Sequence, residues 1–202
     1  ESVLDDEESL RPFECDGLPA YRKTPMIALL PGTVGEVGRI LRICERYAVP
    51  VVARGAGTGL SGGALPLERG VLLSLAKFNR ILELNPDRRI AVVQPGVRNL
   101  AISQAAEPHG LYYAPDPSSQ IACSIGGNVA ENSGGLHCLK YGLTVHNVIA
   151  LKVVMMDGEV LEIGSEAPDN PGFDLLALLH GSEGMLGVIV EVTVKLLSLI
   201  HI

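Results

Sequence analysis

The ten-residue run Arg54-Gly55-Ala56-Gly57-Thr58-Gly59-Leu60-Ser61-Gly62-Gly63 holds five glycines and follows directly on the apolar residues Val51 to Ala53. Without Cβ atoms such a backbone can take positive φ, turn its N–H groups inward and approach a diphosphate closely. Residues 57–62 also satisfy the G-x-G-x-x-G pattern of dinucleotide-binding turns, and Glu83 lies at a spacing suited to a ribose hydroxyl. That pattern requires the glycines to open a helix, however, and Gly63 to Gly70 contains Pro66 and a terminating glycine. A helix-free anion cradle is therefore the expectation, with an NAD-binding module as an alternative. A second segment joins Pro115-Asp116-Pro117-Ser118-Ser119, Cys123-Ser124-Ile125-Gly126-Gly127-Asn128 and Asn132-Ser133-Gly134-Gly135. It concentrates hydroxyls, amides and open backbone N–H groups, which are partners for a large heterocycle with polar edges. His137-Cys138 is a pair of metal-ligand types with no second pair at ligand spacing, so no metal site is expected.

These segments need elements to hold them. Met26 to Leu30 reads as a strand, after which Thr33 and Glu36 form a capping box for a helix. Its apolar stripe runs through Val34, Val37, Ile40, Leu41, Cys44 and Ala48, and Pro50 forbids continuation. Val51 to Ala53, Val71 to Leu75, Ile81 to Leu84 and Ile90 to Gln94 read as short strands joined by turns. A second helix spans about Val97 to Pro108. From Ala114 to Gly142 periodic apolar residues are scarce, and the stretch reads as a long ordered loop of the kind that binds a ligand. Val148 to Met156, with Met155 and Met156 as strand residues, and Glu159 to Ile163 flank Asp157-Gly158, a two-residue hairpin signal. A helix from Phe173 to His180 stops at Gly181, and Val188 to Leu196 forms a last strand. His109 and His180 sit at helix ends, where a cation is stabilising. Residues 1–25, with Pro12, Pro19 and Pro25, read as an arm on the surface ahead of the ordered region.

At 202 residues and 47% hydrophobic content the chain can bury a substantial core. A net charge of -7 without a basic stripe argues against nucleic acid as a partner. Cys15, Cys44, Cys123 and Cys138 show no disulfide or metal spacing, which fits a reducing cytosol. Glu1 to Glu8 is acidic and does not read as a signal peptide, and the longest apolar runs fall well short of the roughly 20 residues of a membrane helix. The expected location is cytoplasmic, with membrane contact only peripheral and through partners.

Taken together, the two glycine-rich segments resemble the FAD-binding domain of the vanillyl-alcohol oxidase and p-cresol methylhydroxylase family. Within it the wording is similar to the branch of glycolate oxidase D subunits and D-lactate dehydrogenases, over residues 54–66, 94–96, 114–132, 137–143 and 181–188. The resemblance implies an α+β fold of two subdomains, a small parallel-rich sheet with helices and a larger, mostly antiparallel sheet with helices. It places the first at 26–95 and the second at 96–197, with 198–202 as a non-native tail without function and a substrate domain missing. It implies that Arg54, Gly55, Ala56, Gly57, Thr58 and Gly59, with Gly62 and Gly63, cradle the pyrophosphate of FAD. Pro115, Asp116, Ser119, Ser124, Gly127, Asn128 and Asn132 would line pyrophosphate and flavin; Gly134, Gly135, Tyr141 and Gly142 would sit beside the ring. Glu183, Gly187, Ile189 and Val190 would close the adenosine end, Val190 standing where the family often has Thr. Some members attach FAD through a His in the glycine loop; Ala56 and Thr58 offer no such nucleophile, so non-covalent FAD is expected, with Cys123 and His137 as the other candidates for a link.

The implied reaction is oxidation of a D-α-hydroxy acid, glycolate first and D-lactate second, with hydride passing to the flavin. The base and the carboxylate clamp that this needs belong to the missing domain, so no catalytic residue is assigned. Implied partners are iron–sulfur and second flavin-fold subunits of an oxidase complex. A flavin-binding or scaffold subunit without turnover of its own is a further alternative.

Overall fold

The computed structural model describes residues 2–167 and 172–201. Two sheets and seven α-helices organise them. The first sheet holds β1 (Val3–Leu4), β2 (Ile27–Leu29), β3 (Val51–Arg54) and β4 (Val71–Ser74) in the order β1-β2-β4-β3. β2 and β3 run parallel to β4, and β1 pairs antiparallel with β2, Val3 opposite Leu29. The second sheet is antiparallel throughout, with β5 (Ile81–Asn85), β6 (Ile90–Val93), β8 (Val148–Val154), β9 (Val160–Gly164) and β10 (Val188–Lys195) in the order β5-β6-β10-β8-β9. A two-stranded ribbon pairs β7 (Leu111–Tyr112) with β11 (Leu197–Ser198).

Helix α1 (Glu7–Leu10) lies in the arm and α2 (Val34–Arg46) joins β2 to β3. The capping box at the start of α2 forms as the sequence predicts: the Glu36 N–H donates to Thr33 Oγ1 (3.2 Å), and Glu36 Oε2 accepts from the N–H groups of Gly32 (2.7 Å) and Thr33 (3.2 Å). Val37, Leu41 and Cys44 are buried at helical spacing. Ala48 is not on that stripe; it lies beyond the helix, exposed, at φ 52°. Val37 and Leu41 pack with Leu73, Phe78, Val154 and Val190, which joins the two sheets through one apolar layer. Burying a Leu or Val side chain there contributes about 1.5–3 kcal/mol. A larger core under the second sheet gathers Val93, Ile102, Ile125, Val129, Leu151, Val153, Val192 and Val194.

Five further helices complete the chain: α3 (Asn99–Ala106), α4 (Ile125–Glu131), α5 (Cys138–Tyr141), α6 (Thr144–Asn147) and α7 (Leu175–Leu179). Several local expectations change. The stretch 114–142 is not a continuous loop, because α4 and α5 lie within it. The described part of the arm joins the fold ahead of Met26, β1 extending the first sheet and Leu10 packing on Ala28 and Leu72. Strands β5 and β6 join the second sheet, so sheet membership changes between Ser74 and Ile81 and not near residue 95. The β8–β9 turn has three residues, not two: the Gly158 N–H donates to Met155 O (2.9 Å), the Met155 N–H donates to Glu159 O (2.8 Å), and Gly158 takes φ 78°. Met155 and Met156 thus belong to the turn region. Of the expected tail, Ser198 pairs with Leu111, while Ile202 lies outside the described residues.

Candidate cofactor site

Between the two sheets opens a cavity of about 410 Å³, walled by the β3–β4 connection, the segment around α4 and the turn leading into β10. The connection from Arg54 to Val71 crosses between neighbouring parallel strands without a helix, the geometry of a cradle and not of the dinucleotide fold that Glu83 would have served. Glu83 itself stands on β5, paired with Arg88 (3.4 Å), away from the cavity.

Arg54, Gly55, Ala56, Gly57, Thr58, Gly59, Gly63, Ser119, Ser124, Gly127, Asn128, Gly134, Glu183, Gly187 and Ile189 all line it. Four of these glycines lie against the ends of neighbouring side chains. A Cβ at Gly55 would collide with Ser124 Oγ, at Gly57 with the Arg54 guanidinium, at Gly59 with the Glu131 carboxylate and at Gly63 with that of Glu183. Gly57 in addition takes φ 69°. Arg54 is buried, and its Nη1 donates to Ala64 O (3.1 Å), tying one end of the loop to the other. Burial pushes its pKa down, opposed by Cys15 and Asp16.

The other expected residues support the wall without lining it. Val190 turns into the core between the sheets, because alternation along β10 gives the cavity to Ile189. The Pro115 carbonyl accepts from Asn99 Nδ2 (3.0 Å). Asp116 holds His137, accepting from its backbone N–H (3.0 Å) and meeting Nδ1 at 3.0 Å, and a Cβ at Gly135 would collide with Asp116. Asn132 ends α4 in the left-handed region (φ 53°) and accepts from the Val145 N–H (3.0 Å). Tyr141 completes an aromatic set with Tyr112 and His137, each pair of rings 6.4 Å apart. Gly142 packs on His146, and Gly62 faces open space.

Sequence reasoning missed Glu131, which lines the cavity beside Asn128, while Ser133 of the expected segment lines it too. The signal was available: once α4 is recognised, Ser124, Gly127, Asn128 and Glu131 fall on one helical face. Partial desolvation raises the Glu131 carboxyl above its ordinary range, helped by Glu183 and Asp16. Burial likewise raises the Cys123 thiol. His180 is not the helix-end cation expected. It is buried, its Nδ1 lies 2.6 Å from Leu176 O, and burial pushes its pKa down, so it is neutral.

Two buried polar atoms in the cavity wall, Ser124 Oγ and Asn128 Nδ2, have no hydrogen-bond partner among the described residues. Nor do the backbone N–H groups of residues 55–61 donate to any described residue. Buried polar groups are normally paired, so the two buried atoms leave room for a ligand as partner, with the open N–H groups of the loop beside them. A family model described as "FAD binding domain" matches residues 25–164. The chain belongs to this FAD-binding domain family.

Relatives are similar over most of this chain. Glycolate oxidase subunit GlcD of Escherichia coli (strain K12) is 68% identical over 195 residues, 96% of this chain and 39% of that protein. Its namesake in Bacillus subtilis (strain 168) is 45% identical over 185 residues, and a D-lactate dehydrogenase of Anaerostipes hadrus 38% over 197. The chain spans about two-fifths of the length of these relatives. A solved structure of alkyldihydroxyacetonephosphate synthase shares the fold, with a TM-score of 0.85 at 22% identity over 98% of this chain and 38% of its own. The cavity offers a glycine-lined cradle, unpaired polar atoms and one buried arginine. That donor set fits a diphosphate flanked by polar-edged rings.

Proposed function

We propose that this chain is the FAD-holding part of an oxidoreductase that acts on a D-α-hydroxy acid, with glycolate as first substrate and D-lactate as second. The unpaired Ser124 Oγ and Asn128 Nδ2 facing the glycine cradle carry the cofactor part of this reading, and 68% identity to a glycolate oxidase subunit supports the substrate class. FAD, when bound, would accept the hydride of the carbinol carbon, and with it the two electrons of the oxidation. The chain's own contribution is to bind and orient: the N–H groups of residues 55–59 and Arg54 take the pyrophosphate, while Ser119, Ser124, Asn128 and Gly134 meet the flavin side. Glu183, Gly187 and Ile189 close the adenosine end, and Pro115, Asp116, Asn132, Gly135, Tyr141 and Gly142 hold those segments in place.

FAD is held without a covalent bond in this reading. The cavity lining includes no histidine, the Cys123 thiol is kept protonated by burial, and His137 is engaged by Asp116. The base and the carboxylate clamp lie in the part of the longer protein that this chain does not span. As a subunit, it assembles with iron–sulfur and second flavin-fold subunits in the cytoplasm, on the inner face of the membrane. Among the described residues no helix is long and apolar enough to cross a membrane.

The test is the absorbance spectrum of the purified protein after incubation with FAD and removal of excess, beside Gly57→Glu/Gly59→Glu. A resolved bound-flavin spectrum that disappears in the variant is expected. Wild-type protein that is folded yet takes up no flavin would refute the reading. In the longer protein, glycolate is expected to bleach the bound flavin; indifference to both glycolate and D-lactate would overturn the substrate class.

A further inference from the structure

The arm reaches the back of the glycine loop. Leu10 is buried against Ala28 and Leu72 on the outer face of the first sheet, with Leu4 and Phe13 packed beside it. From that anchor the Phe13 ring stands with the Arg54 guanidinium carbon 5.8 Å from its centroid. Four residues on, the Gly17 N–H donates to Gly59 O (2.9 Å). Gly17 touches the loop so closely that a Cβ would stand 2.7 Å from Thr58 O and 2.8 Å from Gly59 O. Between them Asp16 is buried, its Oδ1 accepting from the Leu18 N–H (2.9 Å) and shaping the turn that presents Gly17.

Few internal bonds restrain the loop itself. Its carbonyls are tied by Arg54 Nη1 at Ala64, by Gly17 at Gly59 and by the Leu65 N–H at Gly62 (3.1 Å). A run with five glycines has a broad unbound ensemble, so its affinity for a ligand depends on outside constraint. Two constraints involve the arm: a cation–π contact on the arginine that staples the loop, and a backbone bond at Gly59.

We propose that Phe13 and Gly17 are positioning residues for the cofactor loop. Phe13 acts through Arg54, Gly17 acts through Gly59, and together they set the affinity for FAD without touching it. This rests on the reading of the cavity as the FAD site. Phe13→Leu keeps the apolar anchor and removes the ring face, so it weakens FAD about fivefold, the size of a partly desolvated cation–π contact. Phe13→Tyr keeps the ring and restores affinity.

The experiment is titration of the apo-protein with FAD, followed by flavin fluorescence, on Phe13→Leu, Phe13→Tyr, Arg54→Met and the Phe13→Leu/Arg54→Met pair, with thermal melts of each. Expected are a weakened Phe13→Leu, a rescued Phe13→Tyr and no added effect of Phe13→Leu once Arg54 is gone, the non-additivity that marks action through a shared partner. Unchanged affinity in Phe13→Leu overturns the proposal and leaves the FAD site standing. An effect that persists in the Arg54→Met background also overturns it, since Phe13 then acts only through general stability. Folded wild-type protein that binds no FAD removes the FAD reading and this proposal with it.

Discussion

Ser124 is placed to cap α4, yet its hydroxyl makes no capping bond; it lies against Gly55, 5% exposed and without a partner. A serine in this position ordinarily accepts from an N–H of the first turn, and losing that bond costs about 1 kcal/mol. Here the hydroxyl has been left free for something else, and the consequence can be worked out in both states. An unpaired buried hydroxyl costs roughly 1–3 kcal/mol, so Ser124→Ala stabilises the apo-protein by about 1 kcal/mol at the low end of that range. For a chain of this length that is a rise of about 2–4 °C in the melting midpoint. With FAD bound, the same substitution removes a hydrogen bond of about 0.5–1.5 kcal/mol, or more if the acceptor is a phosphate oxygen. The dissociation constant therefore rises about three- to tenfold. Paired measurements decide it: thermal melts of apo wild type and variant, and fluorescence titration of each with FAD. A gain in apo stability with a loss of affinity marks a hydroxyl held for a ligand. A lower apo midpoint with unchanged affinity would refute the reasoning, because it would make Ser124 a structural cap.

Two titrating groups give further tests. The folded-state pKa of Glu131 is raised, so its favourable contribution is full below the ordinary carboxyl range and is lost as pH rises through the folded value; Glu131→Gln should melt higher than wild type at pH 7 and converge with it near pH 4. Removing that charge beside a diphosphate should also tighten FAD about two- to threefold, the scale of one solvent-screened pair. His180 is shifted the other way, held neutral by burial, so its contribution is full above about its ordinary value of 6.5 and is lost as pH falls through the folded one. Melts of His180→Leu between pH 7.5 and 5 should start lower, by about 1 kcal/mol for the lost bond to Leu176, and fall less steeply with acid than wild type.

Local chemistry made much of this molecule legible. Thr33 and Glu36 announce α2 because both halves of a capping box are local in sequence, and residues 63–70 exclude a helix because Pro66 and Gly70 do so wherever they stand. Helix α4 escaped because Gly126 and Gly127 open it, and each glycine lowers helix propensity by about 1 kcal/mol. What makes it helical is tertiary: Ile125 and Val129 are buried one turn apart, and a Cβ at Gly126 would stand 3.2 Å from Pro95 O. Strand β1 escaped for a similar reason, since two residues carry no period and only the edge of β2 gives them a partner. The glycine loop was recognisable as an anion cradle, but its dependence on Phe13 and Gly17 joins residues some forty apart and leaves no local pattern. His180 reads as a cation at a helix end, and only the packing around it shows that the ring is buried.

Strand β10 sits at the centre of the second sheet, between β6 and β8, although it follows the other four strands of that sheet in the chain. Until Val188 to Lys195 has left the ribosome, β5–β6 and β8–β9 are two separate hairpins with an open edge each, and hairpins of that kind have little stability alone. Gly187 and Ile189, which wall the cavity, arrive with the same strand. In this reading, flavin loading during synthesis waits for β10. Until then β6 and β8 each present an apolar edge for which chaperones and neighbouring chains compete.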